Sequence, residues 1–232
     1  MNEMYEAEPA VVLKAAAALR EGRAVMIHDS AARENEVDLV YPAIHCGPES
    51  ISHLRSAAGG LICSAIGNDV ARAVGLPFMH DVLAWAAASY PVLSSIIETD
   101  TPYGGKPAFS ITLNHRNSFT GVTDADRSAT VKAIGRVAEI VAGGKGDAGR
   151  QFASTLKAPG HVPLLIEAPG GLAERRGHTE LSIRLMRIAG LPPASVVCEM
   201  LDARTHRSLG LEDAGQYARD NGLILVEGSH LH

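Results

Sequence analysis

Three carboxylates and a guanidinium fall within six residues at Arg33-Glu34-Asn35-Glu36-Val37-Asp38. Bundled oxygen donors suit a hard divalent cation such as Mg²⁺. The same run also reads as a solvated charged loop, as short charge clusters commonly are. A second group, Arg175-Arg176-Gly177-His178-Thr179-Glu180, lies just ahead of the helical pattern Leu181–Ala189. A helix N-terminus presents free N–H groups and a positive dipole end, so Thr179, the neighbouring amides and Arg175 form a phosphate cradle. That dipole disfavours an imidazolium, which predicts a neutral, metal-competent His178. The alternative is a capped helix with two surface arginines.

Glu199 interrupts the apolar run SVVCEML. An unpaired carboxylate there is costly to bury, so it stands at a strand mouth or faces a polar site. Strand alternation sets Val197 and Glu199 on one face and Cys198 on the other, among core residues. Pro159-Gly160-His161-Val162-Pro163 reads as a rigid turn presenting His161 at a strand edge, although lone histidines are more often structural. Cys63, in Gly60-Leu61-Ile62-Cys63, more often belongs to a core than to a reactive site. The glycine-rich stretch GGKGDAG (143–149) lacks the GxxxxGK[ST] pattern of a phosphate loop and reads as a flexible connection.

These residues need a scaffold, and the chain has the means to build one. Of its 232 residues 46% are apolar and 20% charged, which supports a buried core and excludes a disordered polymer. Lys and Arg number 21 against 26 Asp and Glu, a net charge of −5, so no basic field is available to hold nucleic acid. The start, MNEMYEAEPA, is acidic where a secretion signal is basic, and no apolar run approaches the roughly 18 residues of a membrane span. Cys46, Cys63 and Cys198 are odd in number and lack zinc-site spacing. The expectation is a soluble cytoplasmic protein with reduced thiols and neither a membrane nor a nucleic-acid partner.

Helical spacing runs over 9–21, and Ala24–Ile27 and Val37–Tyr41 are strands joined by the charged loop His28–Glu36. A helix is expected over Pro48–Ala58, a strand over Leu61–Ile66 and a short helix over Asn68–Val74. Between Leu76 and Pro107 the periodicity breaks up around Pro77, Pro91, Pro102 and Gly104-Gly105, predicting short helices within long loops. Phe109–Leu113 alternates as a strand, and Thr123 with Asp126 resembles a capping box opening a helix to about Ala142. Strand Val162–Glu167, helix Thr179–Ala189, strand Ser195–Met200, helix Glu212–Asn221 and strand Leu223–Val226 follow. Without a strict βαβ rhythm, a repeat or a linker between cores, this predicts one α+β domain over 1–232 around a mixed β-sheet flanked by helices.

Together the segments resemble the stand-alone form of the 3,4-dihydroxy-2-butanone 4-phosphate synthase family of riboflavin biosynthesis. The resemblance runs through Arg33-Glu34-Asn35-Glu36, Gly60-Leu61-Ile62-Cys63, Thr120-Gly121-Val122-Thr123 with Asp126-Arg127, Pro159-Gly160-His161-Val162, Arg175 to Glu180, and Cys198-Glu199, in that order. It implies that family's fold and a homodimeric lyase converting D-ribulose 5-phosphate to L-3,4-dihydroxy-2-butanone 4-phosphate and formate. The chemistry runs through a metal-stabilised enediolate and a skeletal rearrangement, with Mg²⁺ or Mn²⁺, two per site, and no organic cofactor. Glu34 and His178 would bind metal. Arg33, Asp38, Arg175, Gly177, Thr179 and Thr120 would hold substrate. His161 and Glu199 match catalytic residues, and Asp29 and Cys63 line the same site. The active sites would lie near the dimer interface, His161 reaching the metal site of the partner chain.

The sequence departs from many family members at Ser30-Ala31-Ala32, where an acidic run is common, at Val37, where glycine is common, and in a longer Phe78–Ala108 segment. A metal-dependent sugar-phosphate isomerase or aldolase would need similar ligands, and formate release separates the two. A non-catalytic binding module is disfavoured by the −5 charge and by an aromatic content of 4%.

Overall fold

A computed structural model describes residues 8–97, 101–102 and 106–232. Helix α1 (Ala10–Arg20) leads into β1 (Val25–His28), a loop, and β2 (Val37–Pro42). Then come α2 (Pro48–His53) with a π-helical turn over Leu54–Ala58, β3 (Cys63–Ile66), α3 (Asn68–Val74) and α4 (Met79–Ala86). The chain continues through β4 (Phe109–His115), α5 (Asp124–Gly143), α6 (Ala148–Thr155) and β5 (Leu156–Ile166). It ends with α7 (His178–Ile188), β6 (Ala194–Glu199), the hairpin β7 (Leu201–Asp202) and β8 (Arg207–Ser208), α8 (Leu211–Asp220) and β9 (Leu225–Glu227).

Seven strands form one mixed sheet in the order β4-β5-β3-β6-β2-β1-β9. The pairs β3/β5 and β1/β9 are parallel, and the other neighbours are antiparallel. Side-chain alternation divides the core in two. Met26, Leu39, Val196 and Cys198 pack with Ile51 of α2 and Ile134 of α5 on one face. Val25, Ile27, Val40, Cys63 and Val197 pack with Leu19 of α1 and with Leu181 and Leu185 of α7 on the other. Cys198 therefore faces the core, as expected, while Asp38 and Glu199 continue the face that carries Val40 and Val197. The expected α+β architecture is the one observed.

Three local expectations are corrected. The glycine-rich stretch 143–149 is not wholly a flexible connection. Asp147 accepts a bond from the Arg150 amide (2.8 Å), α6 starts at Ala148, and Phe152 packs against the core. A side-chain cap and an apolar anchor outweigh the low helix propensity of Gly149. Pro159-Gly160-His161 is likewise no turn before a strand. Strand β5 begins at Leu156 and runs through the cis Ala158-Pro159 bond, while the β4 register jumps from Leu113↔Val162 to Asn114↔Lys157. The intervening residues bulge from an interior strand, where a Cβ at Gly160 would overlap the Leu113 backbone. Finally, Thr123 does cap α5 by accepting from the Asp126 amide (3.1 Å), but the Asp126 carboxylate turns to the amides of Thr120 and Gly121.

The hard-to-read segment 76–107 contains α4 and a 3-10 turn at Pro91–Ser95, short helices as expected. Gly104-Gly105 lie outside the described residues.

Candidate active site

The loop between β1 and β2 wraps around one buried carboxylate. Asp29, 3% exposed, accepts the amides of Glu34 at Oδ2 (3.0 Å) and Glu36 at Oδ1 (3.1 Å). Asn35 takes a positive φ of 55° and its side chain pairs with the His28 ring (3.0 Å). Ser30, Ala31 and Ala32 form the outer turn, where small side chains leave the tight path free. The loop thus closes on Asp29 and turns Glu34 towards the start of α7.

That start is built around Glu180, which has no exposed surface. It accepts from the amides of Ala168 (2.9 Å) and Gly177 (3.2 Å), and its Oε2 lies 3.1 Å from Arg175 Nε. Burial raises its pKa, while the Arg175 charge and these amides pull the other way. At Gly177 a Cβ would meet the end of the Arg33 side chain at 2.8 Å, so a substitution there would displace that guanidinium. Arg175 also donates to Thr179 Oγ1 (3.3 Å) and to the Lys106 carbonyl (3.1 Å).

His178 is the meeting point. Its Nδ1 lies 3.4 Å from Glu34 Oε2 and its Nε2 3.7 Å from Asp38 Oδ1; Nε2 also donates to the Glu36 carbonyl at 3.2 Å. Asp29, Glu34 and His178 each offer a ligand atom, all within 4.8 Å of one another, a donor set that fits a divalent cation. With no cation bound, His178 departs from the expected neutral form: burial pulls the imidazole down, but the charges of Asp38, Glu34 and Asp29 together lift its pKa to about 9. A cation held by the same carboxylates would displace that proton.

Asp38 stands on the same floor, directly opposite Glu199 in the β2/β6 register. Burial, reinforced by Glu199, Glu36 and Glu34 against the opposing His178 charge, pushes Asp38 up to about 7. Its Oδ1 makes no hydrogen bond among the described residues. That oxygen faces the His178 ring at 3.7 Å and lines the cavity, where a bound hydroxyl could donate to it. Glu199, half-buried, accepts the Leu61 amide at 2.7 Å.

These groups line a cavity of about 250 Å³. Glu34, Glu36, Asp38, His178 and Glu199 line it together with Arg33, Lys106, Arg175 and Thr179, and Cys63, Leu165 and Val197 are among its apolar lining residues. Burial pushes the Cys63 thiol far above its ordinary range, aided by Glu199 and Asp38, so it is a neutral wall group here.

Four expected site residues lie outside the cavity lining: Asp29 and Gly177, which sit behind it in the loop and at the α7 start, and His161 and Thr120. His161 is exposed on the β5 bulge, its amide bonded to Asn114 Oδ1 (2.9 Å) and its ring against the same side chain (3.1 Å). Thr120, also exposed, adjoins Gly121, which packs against the Asn114 amide closely enough to exclude a Cβ. Asn114 thus orders His161 directly, while Thr120 is held by Asp126 one residue before the Gly121 that packs on Asn114. Sequence reasoning passed over Asn114, Lys106 and Glu180. Only Glu180 had a readable signal, as an acid three residues after an N-cap; Lys106 sits in the aperiodic stretch.

Acids and an imidazole able to hold a cation, in one cavity with two arginines, a lysine and a helix start, suit an enzyme site for an oxygen-rich anionic small molecule. Comparison with known proteins narrows that class. The family model described as 3,4-dihydroxy-2-butanone 4-phosphate synthase matches residues 13–232. A 3,4-dihydroxy-2-butanone 4-phosphate synthase of Methanothermobacter thermautotrophicus is 43% identical over 221 residues, covering 95% of this chain and 94% of that one. The crystal structure of a two-domain 3,4-dihydroxy-2-butanone 4-phosphate synthase from A. baumannii matches with TM-score 0.74 and 28% identity, over 95% of this chain and 56% of that one, so this chain spans about half of that protein. A crystal structure of a 3,4-dihydroxy-2-butanone 4-phosphate synthase in complex with two magnesium ions has the same fold, with TM-score 0.74, 24% identity, and coverage of 95% and 94%. The chain belongs to the 3,4-dihydroxy-2-butanone 4-phosphate synthase family and is an enzyme.

Proposed function

We propose that the chain converts D-ribulose 5-phosphate to L-3,4-dihydroxy-2-butanone 4-phosphate and formate, a step of riboflavin biosynthesis. The observation that carries this reading is one cavity lined by Glu34 and His178 of the candidate cation cluster together with Asp38, Glu199, Arg33, Arg175 and Thr179, with Asp29 directly behind Glu34. Glu34, His178 and Asp29 would hold Mg²⁺ or Mn²⁺, and the two magnesium ions of the related structure support a count of two. When bound, the ions polarise the sugar's carbonyl and hydroxyl oxygens and stabilise charge developing on them.

The chain's own residues do the rest. Arg175, Thr179 and the α7 amides hold the phosphate, which fixes the reacting carbons at the acidic side. Arg33 and Asp38 orient the hydroxyls. Glu199 moves a proton at the reacting carbons, its Oε2 steadied by the Leu61 amide. His161, exposed and absent from this cavity's lining, serves a second copy of the chain, so that a homodimer carries two composite sites.

Purified chain given ribulose 5-phosphate and Mg²⁺ should release formate, lose that activity in excess EDTA and regain it with Mg²⁺ or Mn²⁺. Product without formate would mark an isomerase or aldolase instead, and full activity in EDTA would remove the metal from the reading.

A further inference from the structure

The β7/β8 hairpin lies outside the active-site cavity, yet one of its side chains touches the acidic loop. Its turn is closed on Asp202, which accepts from the Arg204 amide (2.9 Å) and the Thr205 hydroxyl (3.0 Å), while the His206 amide bonds back to the Asp202 carbonyl (2.8 Å). The base is tied to the sheet, because the Met200 amide donates to the Val37 carbonyl (2.8 Å) and the Leu209 amide to the Met200 carbonyl (2.7 Å). Ser208, paired with Leu201 in this hairpin, is thereby held beside the first residue of β2. Its hydroxyl donates to Glu36 Oε1.

Glu36 is bonded to both Asp29 and His178. Its amide donates to Asp29 Oδ1 (3.1 Å) and its carbonyl accepts from His178 Nε2 (3.2 Å) and from the Asp29 amide (3.3 Å). With its side chain fixed as well, Glu36 sets where the Asp29 carboxylate and the His178 ring stand relative to each other. We infer that Ser208 is a positioning residue for the cation site, acting through Glu36 from outside the cavity to hold Asp29 and His178 in register. This rests on the reading of that cluster as a divalent-cation site.

Groups that orient metal ligands from behind typically change metal affinity by about 10–100-fold when removed. Mn²⁺ alone, titrated into the chain without substrate and followed by electron paramagnetic resonance, should bind Ser208→Ala about ten-fold more weakly than the parent. Ser208→Thr, which keeps the hydroxyl, should recover most of the affinity. In a Glu36→Ala background, Ser208→Ala should change nothing further, since its route to the site is gone. Parent-like Mn²⁺ affinity in Ser208→Ala would overturn the inference, as would an undiminished loss in the Glu36→Ala background. A parent chain that binds no Mn²⁺ would instead overturn the cation site itself, and this inference with it.

Discussion

Asp38 and Glu199 stand opposite each other on adjacent strands, and like charges so placed repel. The burial that lifts Asp38 to about 7 and the nearby His178 make the arrangement tolerable, and a bound cation would do so further. If Glu199 moves a proton, Glu199→Gln should lower kcat for formate release by at least about a hundred-fold with little change in substrate affinity, since general acid–base groups contribute about 10²–10⁴. Stopped formate assays with a separate binding titration read the split; an unchanged kcat would remove Glu199 from the mechanism. The thiols give a second check at this scale. Cys46 and Cys198 are pushed up to about 12 by burial, and Cys63 further in the same direction. Iodoacetamide at pH 8 should therefore leave all three unlabelled in the native chain and label them in denaturant, as mass spectrometry would count.

At the scale of elements, the site depends on three backbone features. The loop folded on Asp29 places Glu34, the glycine-started α7 places His178 and Thr179, and the Gly59–Leu61 approach to β3 seats Glu199. Gly60 donates its amide to the Glu199 carbonyl (3.0 Å), and a Cβ there would lie 2.6 Å from that oxygen and crowd the carboxylate as well. Gly60→Ala should therefore destabilise the fold by about 1–3 kcal/mol, as overpacking does, and depress formate release beyond what the lost stability explains. Thermal melting beside assays well below the melting temperature separates the two effects. A mutant with parental kcat would show that Glu199 has room to shift.

For the whole molecule, neither His161 nor Thr120 lines the cavity, and the composite site proposed above draws His161 from a second chain. Inactive His161→Ala and inactive Glu199→Ala chains, mixed under conditions of verified subunit exchange, should regain part of the parental activity. One site of each mixed dimer would then draw its intact His161 and intact Glu199 from different chains. Verified heterodimers as inactive as either parent would exclude the composite site. Among the described residues no helix is long and apolar enough to cross a membrane, in keeping with the −5 charge and scattered apolar pattern.

Most elements were legible because their signals are local. Glycine and proline punctuation bounds α1, α2, α3 and α7, and the alternation in SVVCEML assigned Cys198 to the core and Glu199 to the other face before any packing was known. The charged hexamer and the arginine-histidine group marked the two segments that converge. The glycine-rich stretch misled because a single Asp147 cap and the burial of Phe152 outweigh several glycines, and burial is a property of the folded chain. The charge state of His178 misled for the same reason: a helix dipole can be read from order along the chain, whereas Asp38, Glu34 and Asp29 gather around the ring only through the β1/β2 loop and the β2/β6 register. The amino-acid sequence by itself determined which groups could bind a cation and a phosphate. The tertiary structure alone decided that Asp29 lies within ligand distance of Glu34 and His178, that His161 is bonded to Asn114, and that Ser208 reaches Glu36 across 172 positions of chain, because such contacts depend on strand pairing between distant residues rather than on spacing.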